Sequence, residues 1–150
     1  MKKLFEYLKL NNLTLSTCES FTGGYFANQI TNISGASEYF KGSFICYSDD
    51  FKTKILGIDI EVIKKYSVVS KEVLALMLEK TCEKINSDIV IGFTGYAPPK
   101  YEDNKSGLSF IGFRFKDKNF IYKFFIKESI TREEYKLRAS EFIIEKILEI

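Results

Sequence analysis

An eight-residue stretch near the start of the chain, Thr17-Cys-Glu-Ser-Phe-Thr-Gly-Gly24, combines a hydroxyl nucleophile with two adjacent glycines. It lies between a strand-like run, Leu13–Ser16, and an amphipathic segment, Tyr25–Ile30. Where a strand turns into a helix, the first backbone N–H groups of the helix lack partners and can bind an anion. Ser20 lies just before those amides, as a nucleophile must if they are to hold the oxyanion of an acyl-transfer reaction. A purely structural explanation is a capped helix start with Thr22 as the N-cap.

The absence of histidine limits the chemistry that Ser20 could perform. Without histidine, neither a Ser–His–Asp triad nor a Cys–His pair can form. A serine nucleophile in this chain therefore needs a lysine, a tyrosine, a carboxylate or a chain terminus as its base.

Length and composition bound the class of protein. The 150 residues are enough to bury a full core, which predicts a single domain over residues 1–150. Charged residues make up 28% of the chain without a long run of one sign, and the net charge is +2, so no nucleic-acid interface is expected.

The apolar runs are too short to span a membrane, and the first residues resemble a helix rather than a signal segment. Three scattered cysteines, Cys18, Cys46 and Cys82, lack the spacing of a metal or redox motif and are interpreted as buried thiols of a cytoplasmic protein.

Hydrophobic periodicity predicts alternating helices and strands, followed by a hairpin and a last helix. Helices are predicted over residues 2–11, after the Ser20 turn to about Asn32, around Phe51–Ile55, from a cap at Asp59 through Lys65, after a cap at Ser70 and after a capping box that begins at Thr131. Strands are predicted at Leu13–Thr17, Phe44–Tyr47, Ile89–Phe93, Leu108–Phe115 and Asn119–Ile126. This order predicts a three-layer α/β domain with a mixed sheet.

Polar side chains collect at three strand ends, where ligands bind in α/β sheets. The first end is the Ser20 turn, the second runs from Tyr47 to Lys52, and the third begins with Thr94-Gly95. A neutral Lys52 amine could accept the proton of Ser20, and the Tyr47 hydroxyl could relay it or orient the amine. The alternatives are a solvated helix lysine, a half-buried strand tyrosine and an ordinary turn at Thr94.

Ordered motifs run the length of the chain. They are Thr17-Cys-Glu-Ser-Phe-Thr-Gly-Gly24, Ala36-Ser37 to Phe40, Gly42 to Lys52, Leu56-Gly57-Ile58, Ser67-Val-Val-Ser70, Thr94-Gly-Tyr-Ala-Pro-Pro99 and Arg132-Glu-Glu-Tyr-Lys136-Leu-Arg-Ala139. At this spacing the chain resembles the CinA C-terminal family, the nicotinamide mononucleotide deamidases, over essentially its whole length. The resemblance implies a three-layer α/β/α sandwich on a mixed, mostly parallel sheet of about five strands.

The resemblance also implies a role for each matching position. The family's serine nucleophile falls on Ser20, its lysine base on Lys52 and its supporting tyrosine on Tyr47. The backbone N–H groups of the turn are expected to hold the oxyanion, and three further positions are expected to bind substrate. The backbone donors are those of Thr22, Gly23 and Gly24, and the substrate-binding residues are Thr94, Gly95 and Arg132, the last on the phosphate side.

Four features depart from the family's pattern. Phe21 replaces the usual Cys, Pro98 replaces a Gly, Asp49 replaces an Asn, and the segment Lys105-Ser-Gly107 is one residue shorter. Phe21, Pro98 and the shortened segment could reshape the nucleotide pocket. A nucleotide-processing domain often precedes this one in the family; none is expected here, because the chain starts one helix before the Ser20 motif.

The implied function is an amidohydrolase that converts nicotinamide mononucleotide to nicotinic acid mononucleotide and ammonia, with no metal and no cofactor. The implied partner is a small-molecule nucleotide, and binding to nucleic acid or to a membrane is not expected. The chain is expected to form a homo-oligomer. A second interpretation is a nucleotide-binding module of the same fold that no longer supports turnover. A third is a nucleic-acid partner, suggested by the family's competence-related name, for which the sequence offers no basic stripe.

A lysine base requires a particular environment. A free lysine has a pKa near ~10.4, which desolvation or a neighbouring positive charge lowers and a carboxylate raises. We therefore expect Asp49 and Asp50 to point away from the Lys52 amine and to cap the helix that follows Ser48. The hydroxyl groups of Ser20 and Tyr47 are expected within hydrogen-bond reach of that amine.

Overall fold

The computed structural model describes residues 1–99 and 105–150, which form six α-helices and five β-strands. The helices are α1 (Lys2–Asn11), α2 (Tyr25–Thr31), α3 (Asp49–Lys54), α4 (Ile60–Tyr66), α5 (Lys71–Lys84) and α6 (Arg132–Leu148). The strands are β1 (Leu15–Glu19), β2 (Phe40–Ile45), β3 (Ile89–Gly95), β4 (Leu108–Phe115) and β5 (Lys118–Phe125). The loop predicted between Thr94 and Lys105 includes residues 100–104, which lie outside the described residues.

The strands form one sheet in the order β2-β1-β3-β4-β5. The pairs β1–β2 and β1–β3 are parallel, and the pairs β3–β4 and β4–β5 are antiparallel. Four of the five strands therefore run in the same direction, and the carboxyl ends of β1, β2 and β3 meet at one edge. The predicted mixed, mostly parallel five-stranded sheet is confirmed.

Helices cover both faces of the sheet, as the three-layer prediction requires. One core contains side chains of α1, α2 and α6, and the other contains side chains of α4 and α5. The central strand β3 alternates between them: Ile89, Ile91 and Phe93 belong to the first core and Val90 to the second. Gly92 also faces the second core, because a Cβ there would lie 2.8 Å from a methyl group of Leu74.

Side-chain caps begin several helices where the sequence predicts them. The carboxylate of Asp59 accepts a hydrogen bond from the Glu61 amide at the start of α4, and Ser70 caps α5 in the same way. Thr131 caps α6 by accepting from the amide of Glu134 at 3.1 Å. These caps follow from local sequence alone, which is why they are predicted correctly.

The edge strand β2 starts and ends before the predicted Phe44–Tyr47. It begins at Phe40, opposite Leu15, and ends at Ile45, opposite Glu19. Most of its side chains are only half-buried, so the strand lacks the apolar signal that would mark its start. Its early end lets Ser48 cap α3, which carries Lys52 back towards the sheet.

Candidate active site

Ser20 follows β1 directly and lies at the carboxyl end of the two central parallel strands. Its backbone N–H donates to the Phe93 carbonyl of β3 at 3.0 Å, which continues the pairing of the two strands by one residue. The Ser20 side chain is 8% exposed. The candidate nucleophile is therefore fixed against the sheet and almost closed to bulk solvent.

Glu19, the last residue of β1, caps the helix that follows the Ser20 turn. Its side chain is fully buried and accepts hydrogen bonds from the amides of Gly24 (3.0 Å), Phe26 (3.2 Å) and Ala27 (2.8 Å). A carboxylate at a helix N-terminus satisfies the unpaired amides and interacts favourably with the helix dipole. The sequence interpretation did not give Glu19 this role; the available signal was one acidic residue closing an otherwise uncharged strand.

The alternative explanation with Thr22 as the N-cap of α2 is wrong. Gly24 occupies the N-cap position with φ +90°, and no side chain of the cap residue bonds to the helix. The Thr22 hydroxyl is buried and has no hydrogen-bond partner among the described residues. Glu19 satisfies the first amides of α2 in place of Thr22, because its carboxylate reaches three amides, whereas a threonine hydroxyl would reach one.

The three backbone donors predicted for an oxyanion differ in availability. The Gly23 amide donates to the Ser20 carbonyl at 3.0 Å, and the Gly24 amide donates to Glu19. Neither glycine amide is free for a ligand in this conformation. Within the described part of the chain, the amides of Phe21 and Thr22 have no protein acceptor, and they follow Ser20 directly.

Lys52 projects from α3 into the interior beside Ser20. Its side chain is 1% exposed, and its amine donates to the Cys46 carbonyl at 2.7 Å and to the Ser20 hydroxyl at 3.3 Å. Burial lowers the pKa of Lys52, while Asp49 and, more weakly, the thiols Cys46 and Cys18 act in the opposite direction. The prediction that Ser20 lies within reach of the amine is confirmed, and the alternative of a solvated helix lysine is wrong because the side chain is buried.

The two acidic residues at the start of α3 behave differently. Asp50 points away and pairs with Lys54 at 2.7 Å, as predicted. Asp49 was expected to do the same, but its Oδ1 atom lies 4.0 Å from the Lys52 amine. Asp49 approaches the amine because it and Lys52 lie three positions apart on the first turns of one helix. Ser48, rather than either aspartate, caps this helix through its hydroxyl.

Tyr47 lines the cleft but does not reach Lys52. Its side chain is 64% exposed, and no hydrogen bond joins it to the amine. The predicted contact between the two residues is wrong for this conformation. The place predicted for the tyrosine hydroxyl at the amine is taken by the backbone carbonyl of Cys46.

Thr94 and Gly95 end β3 at the same edge. The Thr94 hydroxyl donates to the Val68 carbonyl at 2.8 Å and so ties β3 to the segment before α5. A Cβ at Gly95 would collide with Ser109 of β4, so packing alone explains the glycine. Both residues line the cleft, and Thr94 retains acceptor capacity towards it.

Arg132 is the first residue of α6 and lines the same cleft. One of its guanidinium N–H groups donates to the Ala97 carbonyl at 3.0 Å. Among the described residues it has no carboxylate partner; Glu128 and Glu134 pair with Arg138 instead. The guanidinium therefore has donors left for a ligand in the cleft.

These side chains surround one cleft of about 360 Å³, which lies within the roughly 300–1,000 Å³ of small-molecule sites. Its lining includes Ser20, Tyr47, Asp49, Lys52, Thr94, Gly95 and Arg132. No group of three or more potential metal ligands occurs among the described residues, and none of the helices described there could cross a membrane. The arrangement can perform nucleophilic acyl chemistry, because a buried amine contacts a serine hydroxyl beside unpaired backbone donors.

Comparison with known proteins places the chain in a family. The model of the CinA C-terminal domain matches residues 1–150. A protein of Bacillus thuringiensis (strain Al Hakam) named "Putative competence-damage inducible protein" is 38% identical over 141 residues, which are 93% of this chain and 34% of that protein. A Bacillus mycoides protein of the same name is 37% identical over the same lengths. The chain thus spans about a third of the length of these relatives.

Solved structures agree with the fold. A CinA superfamily protein from Escherichia coli superimposes with a TM-score of 0.88 at 27% identity, covering 97% of this chain and 85% of that one. A Klebsiella pneumoniae protein described as competence damage-inducible protein A gives a TM-score of 0.91 at 20% identity, covering 99% and 92% of the two chains. Together with the match over residues 1–150, these findings show that the chain belongs to the CinA C-terminal domain family.

Proposed function

We propose that this domain is a nicotinamide-nucleotide amidohydrolase, which hydrolyses the carboxamide of nicotinamide mononucleotide to a carboxylate and ammonia. The observation that carries the proposal is the Lys52 amine, 1% exposed and 3.3 Å from the Ser20 hydroxyl. A buried lysine next to a serine is costly for stability, and its lowered pKa suits a general base.

In the proposed acylation step, the Ser20 oxygen attacks the carboxamide carbon and its proton passes to the neutral Lys52 amine. The negative charge that develops on the carbonyl oxygen is held by the amides of Phe21 and Thr22, which have no protein acceptor in the described residues. Lys52 then gives its proton to the leaving nitrogen as the carbon–nitrogen bond breaks. Ammonia departs and an acyl-serine remains.

In the proposed second step, water attacks the acyl-serine while Lys52 accepts a proton from it. The carbon–oxygen bond to Ser20 breaks, and the serine hydroxyl recovers its proton from Lys52. Arg132 supports a nucleotide substrate, because a guanidinium with unused donors in the same cleft is suited to a phosphate. The domain is further proposed to act in the cytoplasm, as a homo-oligomer, without metal or cofactor.

The test is ammonia release from nicotinamide mononucleotide by the purified protein. Activity is expected to rise with pH as Lys52 loses its proton, and Lys52→Arg is expected to be inactive because guanidinium cannot act as a base. Ser20→Ala should lower the rate on the order of 10⁴-fold or more without changing thermal melting. Ammonia release by Ser20→Ala, with the parent's melting temperature, would contradict the covalent mechanism.

A second candidate function is a nucleotide-binding module without turnover. The observation in its favour is Asp49, whose carboxylate lies 4.0 Å from the Lys52 amine and favours its charged form. We favour the enzyme because desolvation is the larger influence on Lys52 and its pKa is lowered despite Asp49. Binding of the nucleotide with no ammonia release across the pH range would favour the module.

A further inference from the structure

The charges of the cleft are unequally distributed around the proposed nucleophile. Among the described residues, three charged side chains line it: Asp49, Lys52 and Arg132. Asp49 and Lys52 lie next to Ser20 on the α3 side, whereas Arg132 comes from α6. Within the described part of the chain, a ligand that fills the cleft therefore meets one carboxylate, that of Asp49 beside Lys52.

The Asp49 carboxylate is positioned to contact a ligand. Its side chain is 55% exposed, and no hydrogen bond to it is found in the described residues. Its neighbour Asp50 is directed away from the cleft and neutralised by Lys54. Ser48 caps α3 through its own hydroxyl, so the helix start does not require either carboxylate.

Of the carboxylates in residues 1–99 and 105–150, Asp49 is the one that acts on the Lys52 amine. The other titratable groups acting on that amine are the thiols of Cys46, after β2, and Cys18, in β1. Glu19 is also buried nearby, but three backbone amides of α2 already satisfy its oxygens. Glu19 keeps its charge but is fully buried, so Asp49 is the carboxylate among the described residues that lines the cleft and can contact a ligand.

The charge on Asp49 has different partners in different states of the site. When Lys52 is protonated, its ammonium balances the carboxylate at 4.0 Å. When Lys52 is neutral, as a base must be, Asp49 is left as an anion without a partner among the described residues, next to the position of the scissile group. A ligand with a positive charge in that place takes over the role of the ammonium, and it is favoured over an uncharged ligand of the same shape.

We infer that Asp49 is a specificity-determining residue, which selects amide substrates that carry a positive charge next to the scissile carboxamide. The inference rests on the proposed function for the identity of the amide but not for the binding preference. A nicotinamide ring linked to ribose through its nitrogen has this charge, and its reduced dihydropyridine form lacks it. The two forms of the nucleotide therefore test the carboxylate while leaving the rest of the ligand in place.

The experiment measures affinity for oxidised and reduced nicotinamide mononucleotide by calorimetry, in a Ser20→Ala background that removes turnover. The parent site is expected to prefer the oxidised, cationic form, and Asp49→Asn is expected to reduce that preference about two- to fivefold, as loss of a partly exposed ion pair does. Asp50→Asn is the matched control, with the same change of charge one residue away, and should keep the preference. The melting temperature of each variant shows that it is folded.

Each outcome decides the inference. An unchanged preference in Asp49→Asn, an equal loss in Asp50→Asn, or no binding of either nucleotide would overturn it. If the Asp49-dependent preference is found but the protein with Ser20 intact releases no ammonia, the inference stands and the proposed function fails. If ammonia is released and the preference does not depend on Asp49, the inference alone fails.

Discussion

Lys52 can remain hydrogen-bonded in either protonation state. A neutral amine has two N–H groups and one lone pair, and the Cys46 carbonyl at 2.7 Å can accept one of those N–H groups throughout. The lone pair is then available for the Ser20 hydroxyl at 3.3 Å, the direction in which a proton must move. The backbone carbonyl therefore provides the orientation that the sequence assigned to the Tyr47 hydroxyl.

Ser67, which directly precedes two residues of the cleft lining, has a strained backbone conformation. It adopts φ +73° and ψ 147°, a conformation that is essentially restricted to glycine, and it precedes Val68 and Val69 of the cleft lining. Such a residue costs on the order of 1–3 kcal/mol, against which glycine adds roughly 0.5–1 kcal/mol of unfolded-chain entropy. Ser67→Gly is therefore expected to stabilise the protein by about 1 kcal/mol, which raises Tm by roughly 2–4 °C.

The matched control for this prediction is Ser67→Ala. It removes the hydroxyl, which lies 3.3 Å from the Tyr96 hydroxyl, but keeps the Cβ that causes the strain. Calorimetry should give the alanine variant a Tm equal to or below that of the parent. If alanine stabilises as much as glycine, the hydroxyl rather than the backbone conformation is the source of the effect.

At the scale of elements, helix α2 depends on the buried carboxylate of Glu19. Both carboxylate oxygens accept from backbone amides, so the amide of a glutamine at this position would turn N–H donors towards other N–H donors. Glu19→Gln should lower the free energy of unfolding by about 2–4 kcal/mol, more than a neutral buried group left unpaired. It should also lower activity, because the displaced turn carries Ser20.

Urea unfolding at neutral pH measures this change. Glu38→Gln, at an exposed acid of the Ala36–Glu38 turn, is the control and should change stability by less than roughly 0.5 kcal/mol. Equal stability of Glu19→Gln and the parent would show that the carboxylate is not needed to hold α2.

The first turn of α6 provides a test of the anion side of the cleft. An arginine has no favourable helix-dipole interaction there, since the N-terminus is already positive, and Arg132 has no carboxylate partner in the described residues. Arg132→Ala is expected to raise KM for the nucleotide on the order of tenfold while lowering kcat less, as loss of uniform binding does.

Arg138→Ala is the matched control on the same helix. It removes the same charge from a residue that pairs with Glu128 and Glu134 and does not line the cleft. In steady-state kinetics, the KM of Arg138→Ala should be near that of the parent. A KM change in Arg138→Ala as large as that in Arg132→Ala would reduce Arg132 to a contributor of net charge.

The elements that the sequence predicts well are those with strong local signals. The apolar run that becomes β3 and the caps Asp59, Ser70 and Thr131 are read from a few neighbouring residues. The association of Ser20 with Lys52 is predicted because ligands bind at carboxyl ends of strands and because the motifs resemble a family.

The features that the sequence does not predict depend on the partner across space. Glu19 caps α2 only because β1 ends five residues before the Gly24 amide that it accepts from, and β2 is located by its pairing with β1 rather than by its own apolar pattern. Which side of α3 faces the interior depends on how this helix docks, so spacing alone does not show that Asp49 and Lys52 both line the cleft.

At the scale of the whole molecule, the site affects how stability depends on pH. Burial lowers the folded-state pKa of Lys52, so between that value and the ordinary lysine value the unfolded chain binds more protons than the folded one. The lysine thus contributes stability that increases as pH rises through this interval. The thiols act oppositely, because burial raises the pKa of Cys46 to about 12. Burial also raises the pKa of Cys18. The unfolded thiols therefore lose their protons first, and stability falls as pH rises above their ordinary value.

A substitution at Lys52 separates the two effects. The difference in free energy of unfolding between Lys52→Met and the parent should shift in favour of the parent from pH 7 to pH 10, by on the order of 1 kcal/mol, because methionine fills the space but does not titrate. Lys54→Met, on the same helix, removes a lysine that is exposed and paired with Asp50, and its difference from the parent should stay constant over the same range. Urea unfolding under reducing conditions at several pH values measures both differences. A constant difference for Lys52→Met would mean that its amine keeps its ordinary pKa in the folded protein, which would remove the physical basis for a lysine base at this site.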